Sequence, residues 1–190
     1  MRTLGAIFAG GAGRRFGSDK ALALLDGRPL LAHVADRLGS QCAAVVVIGR
    51  DWPGLPGVAD RPAPGLGPLG GLAGALCHAR DHGFDRVLTS GCDLPDLPRD
   101  LAVRLGDAPA VVAGQPLLGL WGATLADRAV AWATTSSDRS MRAWIAETDA
   151  RRVTLDTEIA NINRVEDLEA LERAHCATNL SPPGPNAGLM

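Results

Sequence analysis

Apolar positions along this chain fall into two kinds of segment, short solid runs and wider stripes. Leu4–Ala9 is a solid run ending in glycines, and it predicts a buried strand, the first of a parallel sheet. Cys42–Ile48 holds Val45, Val46, Val47 and Ile48 in succession and predicts a second. Arg86–Thr89, Ala110–Ala113 and Leu117–Trp121 predict three more, and Gly57–Asp60 a short one. Between the runs the spacing changes. Leu30, Leu31, Val34 and Leu38 recur at helical intervals over 29–38, with Pro29 in the first turn, where its missing N–H costs nothing. Leu69, Leu72, Ala73 and Leu76 predict a second helix, and Pro98 opens a third running to Leu105. Asn163, with Glu166 three residues later, has the form of a capping box for a helix carrying Val165, Leu168 and Leu171 on one face.

The segment RPAPGLGPLGG at 61–71 is too rich in proline and glycine for either regular element. The tail from Thr178, TNLSPPGPNAGLM, has no period and many breakers, so residues 178–190 are expected to be disordered and 1–177 to form one domain. Alternating strands and helices argue for an α/β layered fold with a mostly parallel sheet. Ligands in such folds bind beyond the C-terminal ends of the strands. Segments 10–20, 60–71 and 90–96 each follow an expected strand, so they are expected to meet at one edge.

Composition narrows the choice of ligand. With a formal net charge of −2, the chain has no global basic field for nucleic acid, so an anionic ligand needs a local site. Cys42, Cys77, Cys92 and Cys176 form no CxxC pair and no zinc spacing, which suits inert thiols in a reducing compartment. The N-terminal apolar run is too short for a signal-peptide core or a membrane span, and no other stretch approaches one. A cytoplasmic protein without membrane contact is expected.

The local site is written in FAGGAGRRFGSDK, Phe8–Lys20. Gly10, Gly11 and Gly13 let backbone N–H groups approach a ligand unobstructed, and successive N–H groups make an anion nest. Arg14, Arg15 and Lys20 against Asp19 leave residues 10–20 with three positive charges and one negative. That arrangement suits a triphosphate, whose growing negative charge the cations offset. No GxxxxGK[ST] run exists, and a GxGxxG fingerprint fails because position 16 is Phe16. In GCDLPDLP, Asp93 follows a strand end, where a lone carboxylate suits Mg²⁺; the alternative is a turn residue capping the helix near Pro98, a role Asp96 fits better. Asp60, before the Gly/Pro stretch, is either a nucleoside contact or a plain loop aspartate. Cys92 reads as a small buried residue, and His33 and His78 as packing or surface residues of helices.

These motifs resemble the molybdenum cofactor guanylyltransferases, whose opening pattern is close to LAGGxxxRMGxDK. Here Phe8 replaces Leu and Phe16 replaces Met. KALALLDGRPLLAHV, Asp60 with GPLGGLAG, CDLP and INRVEDLEALE extend the likeness over roughly 4–174, and the AGG start with CDxP favours guanylyl over cytidylyl transfer. The resemblance implies the three-layer, Rossmann-like, mostly parallel sheet of the glycosyltransferase-A-like nucleotidyltransferases. It implies GTP and molybdopterin or Mo-molybdopterin as substrates, Mg²⁺ as cofactor, and transient contact with molybdenum cofactor insertion or target proteins. The backbone of Phe8, Ala9 and Gly10 would line the guanine pocket; Gly11, Gly13, Arg14 and Lys20 would hold phosphates. Asp60 would touch the nucleoside, Asp93 the metal, and Asn161 and Asn163 the acceptor side, with Arg14, Lys20 and Asp93 carrying catalysis. The family often has Asn near the end of the second strand, where this chain reads Val47-Ile48-Gly49. Base and acceptor remain open on residues alone: a cytidylyltransferase, a sugar-phosphate nucleotidyltransferase or a non-catalytic nucleotide-binding module would share the pattern.

Overall fold

Period-two alternation in the strands sorts their side chains into two cores. The computed structural model describes residues 1–10 and 19–179. Strands β1 (Thr3–Phe8), β4 (Ala44–Ile48), β5 (Gly57–Val58), β6 (Arg86–Gly91), β7 (Ala110–Val112), β8 (Gln115–Gly122) and β9 (Arg151–Val153) form one sheet in the order β5-β4-β1-β6-β8-β7-β9. Only β8 runs against its neighbours, so the expected mostly parallel α/β sheet is present. Leu4, Ala6, Phe8, Val46, Ile48 and Val87 share a core with helices α2 (Gly67–Asp81), α4 (Ala126–Thr135) and α5 (Met141–Glu147). Ile7, Val45, Val47 and Leu88 face the other way, onto α1 (Leu30–Gly39) and α3 (Leu101–Leu105). Two helical layers thus cover both faces of the sheet, as a sheet buried on both sides requires.

A third, smaller core lies outside the layers. The short hairpin of β2 (Leu24–Leu25) and β3 (Arg28–Pro29) turns through Asp26 and Gly27, both at positive φ. Leu25, Leu30 and Ile162 pack there with Leu168 and Leu171 of α6 (Val165–Asn179). This cluster draws the C-terminal helix back to the start of α1.

Several boundaries differ from the sequence reading. Helix α2 starts at Gly67, inside the segment expected to be irregular. A Cβ on Gly71 would lie 2.6 Å from Ile48 Cγ2, and one on Gly74 would overlap the Ala59 carbonyl oxygen. Close packing of helix on strand end therefore outweighs the ~1 kcal/mol that each glycine costs a helix. The third helix begins at Leu101 rather than Pro98. The carboxylate that reaches back at the start of α6 is Asp167, not Glu166. Its Oδ2 accepts from the backbone N–H groups of Asn163 and Arg164, each at 2.8 Å, and those bonds hold its pKa below the usual value. Helix α6 runs on through Asn179, past the expected boundary at Thr178; residues 180–190 lie outside the described residues. Helices α4 and α5 and strand β9 were not read from the sequence at all. The Trp144 ring of α5 lies 6.5 Å from that of Trp121 in β8 and 6.4 Å from that of Trp132 in α4, between centroids. Among the described residues, no helix is long and apolar enough to cross a membrane.

Candidate active site

Parallel pairing puts the last residues of four strands in one row. Val58 pairs with Ile48, Ile48 with Phe8, and Phe8 with Gly91. The residues just past this row are therefore forced together: Gly10, Gly49 and Arg50, Asp60, and Asp93. Segments 60–71 and 90–96 and the described ends of 10–20 do meet at one edge.

Backbone contacts fix the row's continuation. The Ala9 N–H donates to Ile48 O at 3.3 Å, and the Cys92 N–H to Phe8 O at 3.1 Å. Gly49 has φ +82°, and a Cβ there would lie 3.3 Å from the Gly10 Cα. This close approach opens a cleft of about 890 Å³ lined by Phe8, Gly10, Ile48, Arg50, Asp60 and Gly71, among others. That size lies in the range of sites for small ligands, roughly 300–1,000 Å³. The half-buried Ala9 side chain packs against the core on the α1 side.

Beside the cleft, Asp93 meets Lys20. The Lys20 Nζ donates to Asp93 Oδ2 at 3.2 Å and to Asn163 Oδ1 at 3.1 Å. Their side chains are 20% and 26% exposed, so both stay accessible to a ligand. Three elements hold this pair. Asp19 caps the turn that presents Lys20, its Oδ1 accepting from the Ala21 N–H at 3.1 Å. The strand end presents Asp93, and the Ile162 N–H donates to the Asp93 carbonyl at 2.9 Å. That last bond places Asn161 and Asn163 on the same side; among the described residues the buried Asn161 Oδ1 has no hydrogen-bond partner. Gly91 lies directly behind, where a Cβ would overlap Asp93 Oδ1.

Of the residues singled out from the sequence, Phe8, Gly10 and Asp60 line the cleft, while Lys20, Asp93 and Asn163 form one hydrogen-bonded group. Gly11, Gly13 and Arg14 lie outside the described residues. Asp96 is no helix cap: its Oδ1 accepts from Arg37 Nη2 at 3.0 Å, and its Oδ2 faces His175 Nε2 at 2.9 Å. Burial, followed by the Asp93 charge, pushes the Cys92 thiol up to about 11, so it stays protonated and is no nucleophile. Sequence reasoning missed Asp19, Arg50 and Gly91. Position relative to a strand end was the only signal for the last two, and it carries no chemistry until the row is assembled.

A single carboxylate beside a lysine can hold a cation only if the ligand supplies more donors. Among the described residues no group of three His, Cys, Asp or Glu could hold a metal alone. That donor set fits Mg²⁺ arriving with a polyphosphate, since Mg²⁺ is commonly held by one or two carboxylates plus phosphate oxygens and waters.

Comparison with known proteins agrees with this geometry. The MobA-like NTP transferase domain family matches residues 5–154. A molybdenum cofactor guanylyltransferase of Acidiphilium cryptum is 36% identical over 184 residues, covering 90% of this chain and 94% of that one. One from Cereibacter sphaeroides is 37% identical over 189 residues, covering 90% and 96%. Among solved structures, molybdopterin-guanine dinucleotide biosynthesis protein A from Archaeoglobus fulgidus shares the fold at a TM-score of 0.73 and 20% identity, over 92% of this chain and 99% of that one. A sheet edge built for a nucleotide and relatives matched along nearly their whole length lead to one placement: the chain belongs to the MobA-like NTP transferase family, with the molybdenum cofactor guanylyltransferases.

Proposed function

We propose that this protein transfers GMP from GTP to the phosphate of molybdopterin or Mo-molybdopterin in the cytoplasm, releasing pyrophosphate, with Mg²⁺ as cofactor. The observation that carries the reading is the Lys20–Asp93 contact of 3.2 Å beside a nucleotide-sized cleft. A phosphate-binding cation and a metal-binding carboxylate, paired with each other before ligand arrives, are set to exchange partners when it does.

In the reaction, an oxygen of the acceptor phosphate forms a bond to the GTP α-phosphorus. The bond from that phosphorus to the bridging oxygen breaks in line, and pyrophosphate leaves with the electron pair. The ionised acceptor is already a nucleophile, so no protein base is required, and catalysis is positioning and charge neutralisation. Lys20 moves from Asp93 to the phosphates and offsets their charge. Asp93 would hold Mg²⁺, which would neutralise charge on the phosphates. Asp60 and the backbone at Phe8 and Gly10 hold the nucleoside. Asn163, freed when Lys20 moves, and Asn161, whose oxygen is unpaired among the described residues, face the acceptor. Gly11, Gly13 and Arg14 supply further phosphate contacts.

Incubation with each α-labelled NTP and molybdopterin tests this. Label transfer from GTP alone, dependent on Mg²⁺, is expected. Lys20→Ala and Asp93→Ala are expected to abolish transfer with unchanged thermal unfolding. Wild-type rates in both folded variants, or transfer from another NTP instead, overturn the assignment.

A further inference from the structure

We propose that Arg50 is a positioning residue for Lys20, acting through Asp19. Arg50 leaves the end of β4, one residue after the Gly49–Gly10 contact, and its Nη1 donates to Asp19 Oδ2 at 2.6 Å. Asp19 spends its other oxygen on the Ala21 N–H, the bond that caps the Lys20 turn. One carboxylate thus joins the β4 end, which lines the cleft through Arg50, to the turn that presents Lys20 to Asp93.

The arm itself is braced. The Arg50 guanidinium lies 5.9 Å from the Trp52 ring centroid, and Trp52 bridges to Leu55 in a tight turn. Arg50 is 27% exposed and Asp19 41%. Among the described residues the buried Arg50 Nε has no partner, so the side chain makes the Asp19 pair with one N–H unmatched there. Such a residue is poorly explained as packing. Without Arg50, Asp19 still caps its turn but loses its ion pair to the end of β4. Lys20 then loses its fixed distance to Asp93, and small misplacements at a reacting phosphate are costly. The inference rests on the phosphate role proposed for Lys20, and it names the residue that enforces that role.

A double-mutant cycle tests it. Asp19→Asn keeps a capping oxygen and removes the charge; Arg50→Gln removes the guanidinium; Arg50→Lys keeps the charge. Two readouts are taken: kcat/KM for GTP, and the rate of acetic anhydride labelling of the Lys20 amine in ligand-free protein. Asp19→Asn and Arg50→Gln are each expected to lower kcat/KM by about fivefold, the upper end for an accessible ion pair. The double variant is expected to fall no further, and Arg50→Lys to recover part of the loss. Labelling of Lys20 rises equally in both single variants, which lose no more stability than one accessible ion pair supplies. Additive losses overturn the proposal, as does a crippled Arg50→Gln beside a wild-type Asp19→Asn, which would put Arg50 on the nucleotide directly. Absence of GMP transfer in the wild type would instead strike the functional reading, and the labelling arm would still decide the positioning.

Discussion

Gly91→Ala is expected to leave the fold intact and to remove most of the activity. Gly91 ends β6 and pairs with Phe8 in the row of strand ends. An ideal Cβ built there would overlap Asp93 Oδ1 and lie 3.4 Å from Asp93 Cγ. Unbonded heavy atoms settle near 3.5–4.0 Å, so the carboxylate must move by about 1 Å or more. The cheapest escape is rotation of the Asp93 side chain, because the backbone on both sides is tied down: Cys92 by Phe8 and the Asp93 carbonyl by Ile162. Rotation breaks the 3.2 Å contact with Lys20 and re-aims the oxygens that would hold Mg²⁺. A misplacement of about 1 Å in a reacting assembly costs on the order of a hundredfold in rate. Stability should change by less than about 1 kcal/mol, because removing glycine from a strand stiffens the unfolded chain and offsets the crowding. GMP transfer is measured as a function of Mg²⁺ concentration, with denaturant unfolding in parallel. A fall in kcat and a raised Mg²⁺ requirement at unchanged stability are expected. A folded Gly91→Ala protein with wild-type transfer would refute the account of how Asp93 is aimed.

Two further predictions concern the fold around the site. His175 of α6 lies 2.6 Å from Asp26 Oδ2 and 2.9 Å from Asp96 Oδ2, with Arg37 behind Asp96; its protonated ring donates to both, and these bonds, Asp26 first, raise its pKa above 6.5. A raised folded-state pKa means the stabilisation is complete below the unfolded value of about 6.5 and is lost as pH rises through the folded one. Thermal unfolding of the wild type should therefore lose this increment on the alkaline side, and His175→Gln should flatten that part of the profile; an unchanged profile removes His175 as its source. Gly74→Ala drives a methyl into the Ala59 carbonyl oxygen, a backbone atom. A cost of about 1–3 kcal/mol in denaturant unfolding is expected, and a neutral variant would show that α2 can lift off the strand end without penalty.

Local composition determined a good part of this protein. Runs such as Val45–Ile48 are buried strands in any context that supplies two covered faces, and stripes such as Leu30, Leu31, Val34 and Leu38 are helix faces. Lys20 and Asp93, on which the proposed chemistry rests, are both singled out by sequence, the one ending a glycine-rich segment and the other following a strand end. What failed were the places where propensity and packing disagree. Gly67–Gly71 reads as loop by composition, and only the close approach to Ile48 and Phe8 makes helical glycine the better choice. Asp96 looks like a cap in sequence; a histidine 79 residues away and an arginine on α1 claim it in space. The site itself belongs to the tertiary structure. Lys20 and Asp93 are separated by 73 residues, and nothing between them states their distance. The parallel register of β1 with β4 and β6 sets it, since pairing Phe8 with both Ile48 and Gly91 obliges the loops beyond to converge. Sequence fixes which groups a chain brings to a site, because side-chain chemistry is local; their mutual geometry is a long-range property, and it exists only once the sheet has chosen its register.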